Sequence, residues 1–165
     1  MICLFSIQAW AQSGKLFNTD NQLSSNLATQ VFQDKSGFIW IATRNGLNTY
    51  DGYHITVIKK DMSNFLGLNS NYINSIAQDE KEHILLGTNN SLLEFTGSEF
   101  LKIPMLDSKG EELATYVKQV YPLKNKDVAV ATSGYGIMLK KQDEQKCHAM
   151  KGEVEKLKYI LKLLE

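Results

Sequence analysis

Short runs of alternating apolar and polar residues recur along the chain, each ended by a polar turn. Residues 28–32 form one run and lead into Gln33-Asp34-Lys35-Ser36-Gly37. A second run covers 38–43 and breaks at Arg44-Asn45-Gly46. A third covers 47–50 and ends at Asp51-Gly52, and a fourth occupies 54–58. Asn-Gly and Asp-Gly pairs suit the positive backbone dihedrals of tight hairpin turns. Alternation rich in Ile, Val, Thr and aromatic residues predicts strands packed between layers. The unit is therefore four short antiparallel strands in roughly 45 residues, which is the size of a propeller blade.

The unit repeats. Residues 25–52 read SNLATQVFQDKSGFIWIATRNGLNTYDG and residues 70–97 read SNYINSIAQDEKEHILLGTNNSLLEFTG, 45 positions later and without a gap. Ser25/Ser70, Asn26/Asn71, Gln33/Gln78, Asp34/Asp79, Thr43/Thr88, Asn45/Asn90, Leu47/Leu92 and Gly52/Gly97 are preserved, and Val31, Trp40 and Tyr50 recur as Ile76, Leu85 and Phe95. A weaker copy at 116–140 places Val117 under Ile73, Val120 under Ile76 and Thr132 under Thr88, with its glycines shifted to Gly134 and Gly136. YILKLLE, from Tyr159, repeats the rhythm of YINSIAQ.

These copies predict an all-β chain, an incomplete β-propeller of about three four-stranded antiparallel blades plus the start of a fourth. The expected blades lie near 23–60, 68–104 and 113–142, with an incomplete one from 158, all within a partial propeller at 15–165. Helical repeats would place apolar residues three and four apart, and leucine-rich repeats have shorter periods. Propellers usually need roughly four to eight blades to close, so the expectation is a fragment of a longer polypeptide. Residues 153–165 carry two readings. Their spacing and propensities favour a helix, whereas the repeat alignment makes 159–164 a strand.

The first 13 residues, MICLFSIQAWAQS, contain a short apolar run and small residues at Ala9 and Ala11 spaced as signal peptidase requires. No basic residue precedes Lys15, so 1–11 read as the back half of a signal peptide whose start lies upstream. The alternative is an apolar first strand, against which Gln8, Gln12, Ser13 and Gly14 break the pattern.

Composition narrows the function classes. Eighteen basic and 18 acidic side chains cancel to a formal charge of zero in 165 residues, which removes the positive field that nucleic-acid binding needs. A 43% hydrophobic and 22% charged composition is that of a folded globular chain. Two cysteines, Cys3 and Cys147, exclude a disulfide scaffold and a four-cysteine metal site. No run is long enough for a transmembrane helix.

NLATQVFQDKSGFIWIATRNGLNTYDGYHITVI, at 26–58, resembles the two-component regulator propeller repeat. Asp34, Gly37, Trp40, Thr43, Gly46, Leu47, Tyr50, Asp51 and Gly52 match that pattern. The second copy retains Asp79, Thr88 and Gly97 but has Glu82, Leu85 and Ser91 where the pattern has Gly, Trp and Gly; the third keeps mainly Thr132. A signal-like start followed by LFNTDNQLSSN is also similar to the opening of hybrid two-component sensors of Bacteroidetes. That resemblance implies a long periplasmic sensory region on a membrane-anchored parent, with kinase, receiver and DNA-binding parts downstream. It also implies glycan-derived oligosaccharides as ligands. The partners it implies are the remaining blades, the signalling domains and a homodimer in the parent.

Chemistry-bearing patterns are sparse. His54, His83 and His148 show no metal-ligand spacing, and neither HExxH nor a calcium loop occurs. Gly134-Tyr135-Gly136 lacks the Lys and hydroxyl residue of a phosphate loop, and no Gly-Xaa-Ser-Xaa-Gly elbow exists. The reading is accordingly non-catalytic, with no metal and no cofactor. Asp34 and Asp79 read as turn-capping acceptors, and Trp40 as packing between blades. The ligand-binding candidates are Arg44, Asn45, Asn89, Asn90 and Ser133, which follow the second strand of each copy and would share one rim. Arg44, the sole arginine, could hold a carboxylate; the competing reading is that all five merely build tight turns. Two further classes stay open: the beginning of a secreted carbohydrate-active enzyme on a propeller fold, and a standalone interaction module.

Overall fold

Each tight turn reverses the chain onto the run before it, so neighbours in sequence become neighbours in a sheet. The computed structural model describes residues 14–61 and 67–150. The expected leader at 1–11 and the tail at 153–165, whether helix or strand, lie outside the described residues. After a 3-10 turn at Thr19–Asn21, the first sheet contains β1 (Ala28–Gln33), β2 (Ile39–Thr43), β3 (Gly46–Tyr50) and β4 (Ile55–Ile58) in that order. The second contains β5 (Ile73–Gln78), β6 (Ile84–Thr88), β7 (Leu92–Phe95) and β8 (Phe100–Ile103), again consecutive and antiparallel.

The third sheet is larger than its sequence pattern predicts. Its blade strands are β11 (Val117–Pro122), β12 (Val128–Thr132), β13 (Ile137–Lys140) and β14 (Cys147–Ala149). The outermost therefore lies beyond the 113–142 expected for this blade. A small hairpin from the connector, β9 (Met105–Leu106) and β10 (Glu112–Leu113), joins the outer edge by parallel pairing of β14 with β9. An outer strand with unpaired N–H and C=O groups is a template for stray pairing, and the hairpin covers it.

Aligned residues hold the sheets together in the same way at both seams. The register of the first strand slips at Ala28/Gln30, Ile73/Ser75 and Val117/Gln119, so all three sheets carry a bulge at one aligned position. A bulged residue is left out of the ladder and re-aimed. Thr29 Oγ1 donates to Ile73 O at 2.6 Å, and Asn74 Nδ2 to Val117 O at 2.9 Å. One residue further on, Gln30 exchanges two 2.9 Å hydrogen bonds with the Ile76 backbone, while Val120 N donates to Ser75 Oγ at 3.0 Å.

Two apolar cores fill the seams. Trp40, Ala42 and Leu47 meet Ile76, Ile84, Leu86 and Leu93 at the first; Leu85, Leu92 and Ala77 meet Val117, Val120, Val130 and Met138 at the second. Trp40 is 6% exposed and its ring stands edge-on to Phe95, with centroids 5.8 Å apart. Gly87 allows close approach at the second seam, because a Cβ there would lie 2.6 Å from Val117 Cγ1.

Candidate functional site

At the end of the sheets where second strands turn into third strands, one threonine closes the turn in every copy. Thr43 Oγ1 donates to Gly46 O at 2.7 Å, Thr88 Oγ1 to Ser91 O at 3.0 Å, and Thr132 Oγ1 to Gly136 O at 2.8 Å. All five rim candidates are tied into these turns by hydrogen bonds. Asn45 N donates to Thr43 Oγ1 at 3.0 Å; Asn89 Oδ1 accepts from Ser70 Oγ at 2.8 Å; Asn90 Oδ1 accepts from Thr88 Oγ1 at 3.0 Å. Ser133 ties its backbone to Tyr116 O and to the Thr115 hydroxyl.

The Arg44 side chain is different. Its exposed guanidinium lies over the Tyr72 ring, 5.5 Å from the centroid. Tyr72 in turn meets Tyr116 at 6.2 Å between centroids, and Tyr116 donates its hydroxyl proton to Asn74 Oδ1 at 2.8 Å. Tyr72 and Tyr116 are aligned residues just ahead of β5 and β11. One band thus runs from Arg44 of the first sheet through Tyr72 and Asn74 of the second to Tyr116 of the third. The Tyr116 phenol is pushed above the ordinary 10, first by the surrounding protein and then by the neighbouring Tyr72 hydroxyl, with Arg44 pulling the other way. Such a band offers a cation, phenolic hydroxyls and ring surfaces to a polar ligand. Sequence reasoning found Arg44 and missed the tyrosines, although their spacing of 44 positions was a usable signal.

The opposite end carries the acidic turns. Asp34 accepts Phe38 N at 2.9 Å through Oδ1 and the Trp40 indole N–H at 2.7 Å through Oδ2. Asp79 accepts Lys81 N at 2.8 Å and His83 N at 2.9 Å through Oδ1. The same turn recurs in the added hairpin, where Asp107 takes Lys109 N and Glu111 N. The fourth residue of each turn has positive φ, Gly37 at 92°, Glu82 at 66° and Gly110 at 87°, as does Lys126 at 72° in the equivalent Leu123–Lys126 turn of the third sheet. Asp51, after β3, takes Tyr53 N and His54 N. Backbone donation from His54 and Tyr53 lowers the Asp51 pKa from 3.8, and Glu111 N leads the same effect on Asp107.

Between the first two sheets this end opens into a cleft of about 560 Å³, walled by Asp34, Trp40 and Thr49 on one side and Gln78, His83 and Phe95 on the other. Behind His83, its Nδ1 lies 3.1 Å from Glu94 Oε1. Asp79, His83 and Glu94 place one ligating atom each within 4.8 Å of the other two, and form the one such group of three found among the described residues. Sequence reasoning passed over this cluster because it sought ligand spacing within one segment. Cys147 is fully buried, and burial pushes its thiol up to about 12.

Residues 22–45 and 67–90 each match the family model described as two component regulator propeller. A comparison with curated protein sequences finds no match. Among solved structures, the extracellular domain of one hybrid two component system from B. thetaiotaomicron is 24% identical, with a TM-score of 0.66 over 76% of this chain and 18% of that one. A second such domain from B. thetaiotaomicron is 18% identical, with a TM-score of 0.59 over 73% and 17%. PorZ, a surface component of the type-IX secretion system of Porphyromonas gingivalis, is 15% identical, with a TM-score of 0.55 over 75% and 21%. The chain spans about a fifth of the length of each. These likenesses establish the fold, and the matched segments carry the opening strands of adjacent sheets. Residues 22–45 and 67–90 thus carry two component regulator propeller repeats, in a chain folded as consecutive blades of a β-propeller.

Proposed function

We propose that this chain is a segment of the extracytoplasmic sensory region of a two-component signalling protein, and that it recognises a ligand without transforming it. The observation that supports the reading most is the match of 22–45 and 67–90 to the regulator propeller repeat, on a fold shared with extracellular domains of hybrid two component systems. No described helix is long and apolar enough to cross a membrane. In the proposal, the anchor and the signalling domains belong to other parts of a longer periplasmic-facing parent.

The ligand class we favour is an oligosaccharide derived from glycans. The Arg44–Tyr72–Tyr116 band supports it: tyrosine rings present apolar faces to the C–H face of a sugar, and a guanidinium pairs with a uronate carboxylate in two parallel hydrogen bonds. The band contains no nucleophile paired with a base, which favours recognition over catalysis.

The test is the size and compartment of the native polypeptide, detected with an antibody against residues 23–97 in fractionated cells. A species far longer than 165 residues in the inner-membrane fraction supports the proposal. A soluble species of about this length overturns it. The ligand class is tested separately by titrating the purified parent ectodomain with uronate-containing and neutral oligosaccharides. Loss of uronate binding in Arg44→Ala supports the band, and unchanged binding removes it from the site.

A further inference from the structure

The geometry points to a divalent transition-metal site of the zinc class at Asp79, His83 and Glu94, in the second blade. The first blade supplies the comparison. Its aligned residues are Asp34, Phe38 and Thr49, with Trp40 at the position of Leu85 and paired with Thr49 as Leu85 pairs with Glu94. There the turn carboxylate is satisfied on one oxygen by Phe38 N and on the other by the indole N–H. In the second blade Asp79 Oδ1 keeps its backbone donors. Leucine, however, has removed the indole donor, a second carboxylate has replaced a hydroxyl, and an imidazole has replaced a phenyl ring. Three aligned substitutions thus convert an apolar, hydrogen-bond-satisfied corner into a nitrogen-and-two-carboxylate donor set.

The two carboxylates of the corner are buried, while the His83 side chain is 29% exposed at the cleft. Asp79 is 7% and Glu94 2% exposed. A cation held between two carboxylates so close and so buried offsets the cost of burying their charges. Among the described residues no Lys or Arg nitrogen pairs with either; the ion pairs of Lys35, Lys102 and Lys141 are to other acids, and the one basic group in reach is His83 itself. Lys140, buried on the third sheet, makes no ion pair with them.

The donor set selects the ion. One imidazole nitrogen with two carboxylate oxygens suits Zn2+ or a neighbour in its series, while Ca2+ asks for six to eight oxygens. Tetrahedral bonds of about 2.0–2.1 Å put neighbouring ligand atoms about 3.3 Å apart, close to the 3.1 Å between His83 Nδ1 and Glu94 Oε1. Asp79 closes the third position by a small side-chain rotation, since its ligand atom is within 4.8 Å of both. A water takes the fourth. The ion ties the β5–β6 turn to the middle of β7.

The test uses the purified full chain stripped with a chelator, then titrated with Zn2+ by calorimetry and with Co2+ by visible absorption. We expect one equivalent of metal, with the intense visible band of four-coordinate Co2+. Glu94→Gln and His83→Phe weaken binding at least about 10-fold. His148→Ala, which removes the separate surface pair with Glu144, leaves it unchanged. Absence of saturable binding, affinity equal to the parent's in both site variants, or loss of binding in His148→Ala overturns the inference. A readout on the unmodified chain guards against misfolded variants: Zn2+ protects His83 from diethylpyrocarbonate in peptide maps, and equal labelling with and without Zn2+ overturns the inference.

Discussion

Gly87 sets how closely the second and third blades approach, and replacing it by alanine tests that packing quantitatively. A Cβ at this position meets Val117 Cγ1 at 2.6 Å, with Val117 Cβ and Val120 Cγ2 at 3.3 Å. Val117 is fully buried and sits in β11. Its β-branched side chain has few alternative rotamers, so the clash is relieved only by moving the strand or distorting the side chain. Overpacking of this kind costs about 1–3 kcal/mol. Replacing glycine in an ordinary backbone conformation returns about 0.4–1 kcal/mol by restricting the unfolded chain. The net expectation for Gly87→Ala is a loss of about 1–2 kcal/mol. Val117→Ala alone deletes buried methyl groups and costs about 2 kcal/mol. In the double variant the new methyl occupies space vacated by Cγ1, so the combined loss falls short of the sum by about 1 kcal/mol or more. Urea unfolding followed by far-ultraviolet circular dichroism measures all four proteins. A Gly87→Ala protein as stable as the parent, or a double variant additive within about 0.5 kcal/mol, would refute the close-packed seam.

Three further outcomes are expected. Trp40→Phe retains a ring against Phe95 but loses the 2.7 Å hydrogen bond to Asp34. The same urea assay should show a loss of about 1.5–3 kcal/mol, as for other bonds to a charged group. Cys147, with its thiol held near 12 by burial, should resist iodoacetamide at pH 8 in the native chain and react on unfolding, as read by peptide mass mapping. Because the native state keeps that proton after the unfolded thiol releases it, its contribution to stability is present below about pH 9 and declines as pH rises toward 12. Asp51 and Asp107 should titrate below 3.8 in carboxyl-carbon NMR spectra. Their contribution is present above that pH and lost as pH falls through the native midpoints; midpoints at or above 3.8 would contradict the backbone caps.

The first two blades were legible because a 45-residue offset aligns both their strands and their turns. The third was legible only in its inner strands, where Val117, Val120 and Thr132 keep the frame. Its outer edge was not. β14 pairs in parallel with β9, some 40 residues earlier, and neither strand has the alternation or the turn pair that marks the others. The corner acids illustrate a second limit. Asp79 was read as a turn cap, and it does cap the turn, but the cap occupies one carboxylate oxygen and says nothing of the other. What that other oxygen faces is set by residues 6 and 15 positions downstream, Leu85 and Glu94, which are brought together only by strand pairing.

The repeat therefore separates two kinds of position. Thr43, Thr88 and Thr132 serve one turn each by the same hydroxyl contact, and the aligned bulges join each seam by the same exchange between neighbouring first strands. Such residues agree between copies because every blade must solve the same local geometry. Residues on the blade faces meet different neighbours and are free to diverge. Phe38 against His83, Trp40 against Leu85 and Thr49 against Glu94 are the divergent set at one end; Leu27 against Tyr72 and Tyr116 is the divergent set at the other. Both proposed sites owe their individual chemistry to disagreements between copies, with Asp79 the one ligand drawn from the shared motif. In a repeat protein the frame is read from what recurs, and individual chemistry has to be sought where an aligned position changes from apolar to titratable or from aliphatic to aromatic. The His83 and Arg44 variants test that logic at opposite ends of the same sheets.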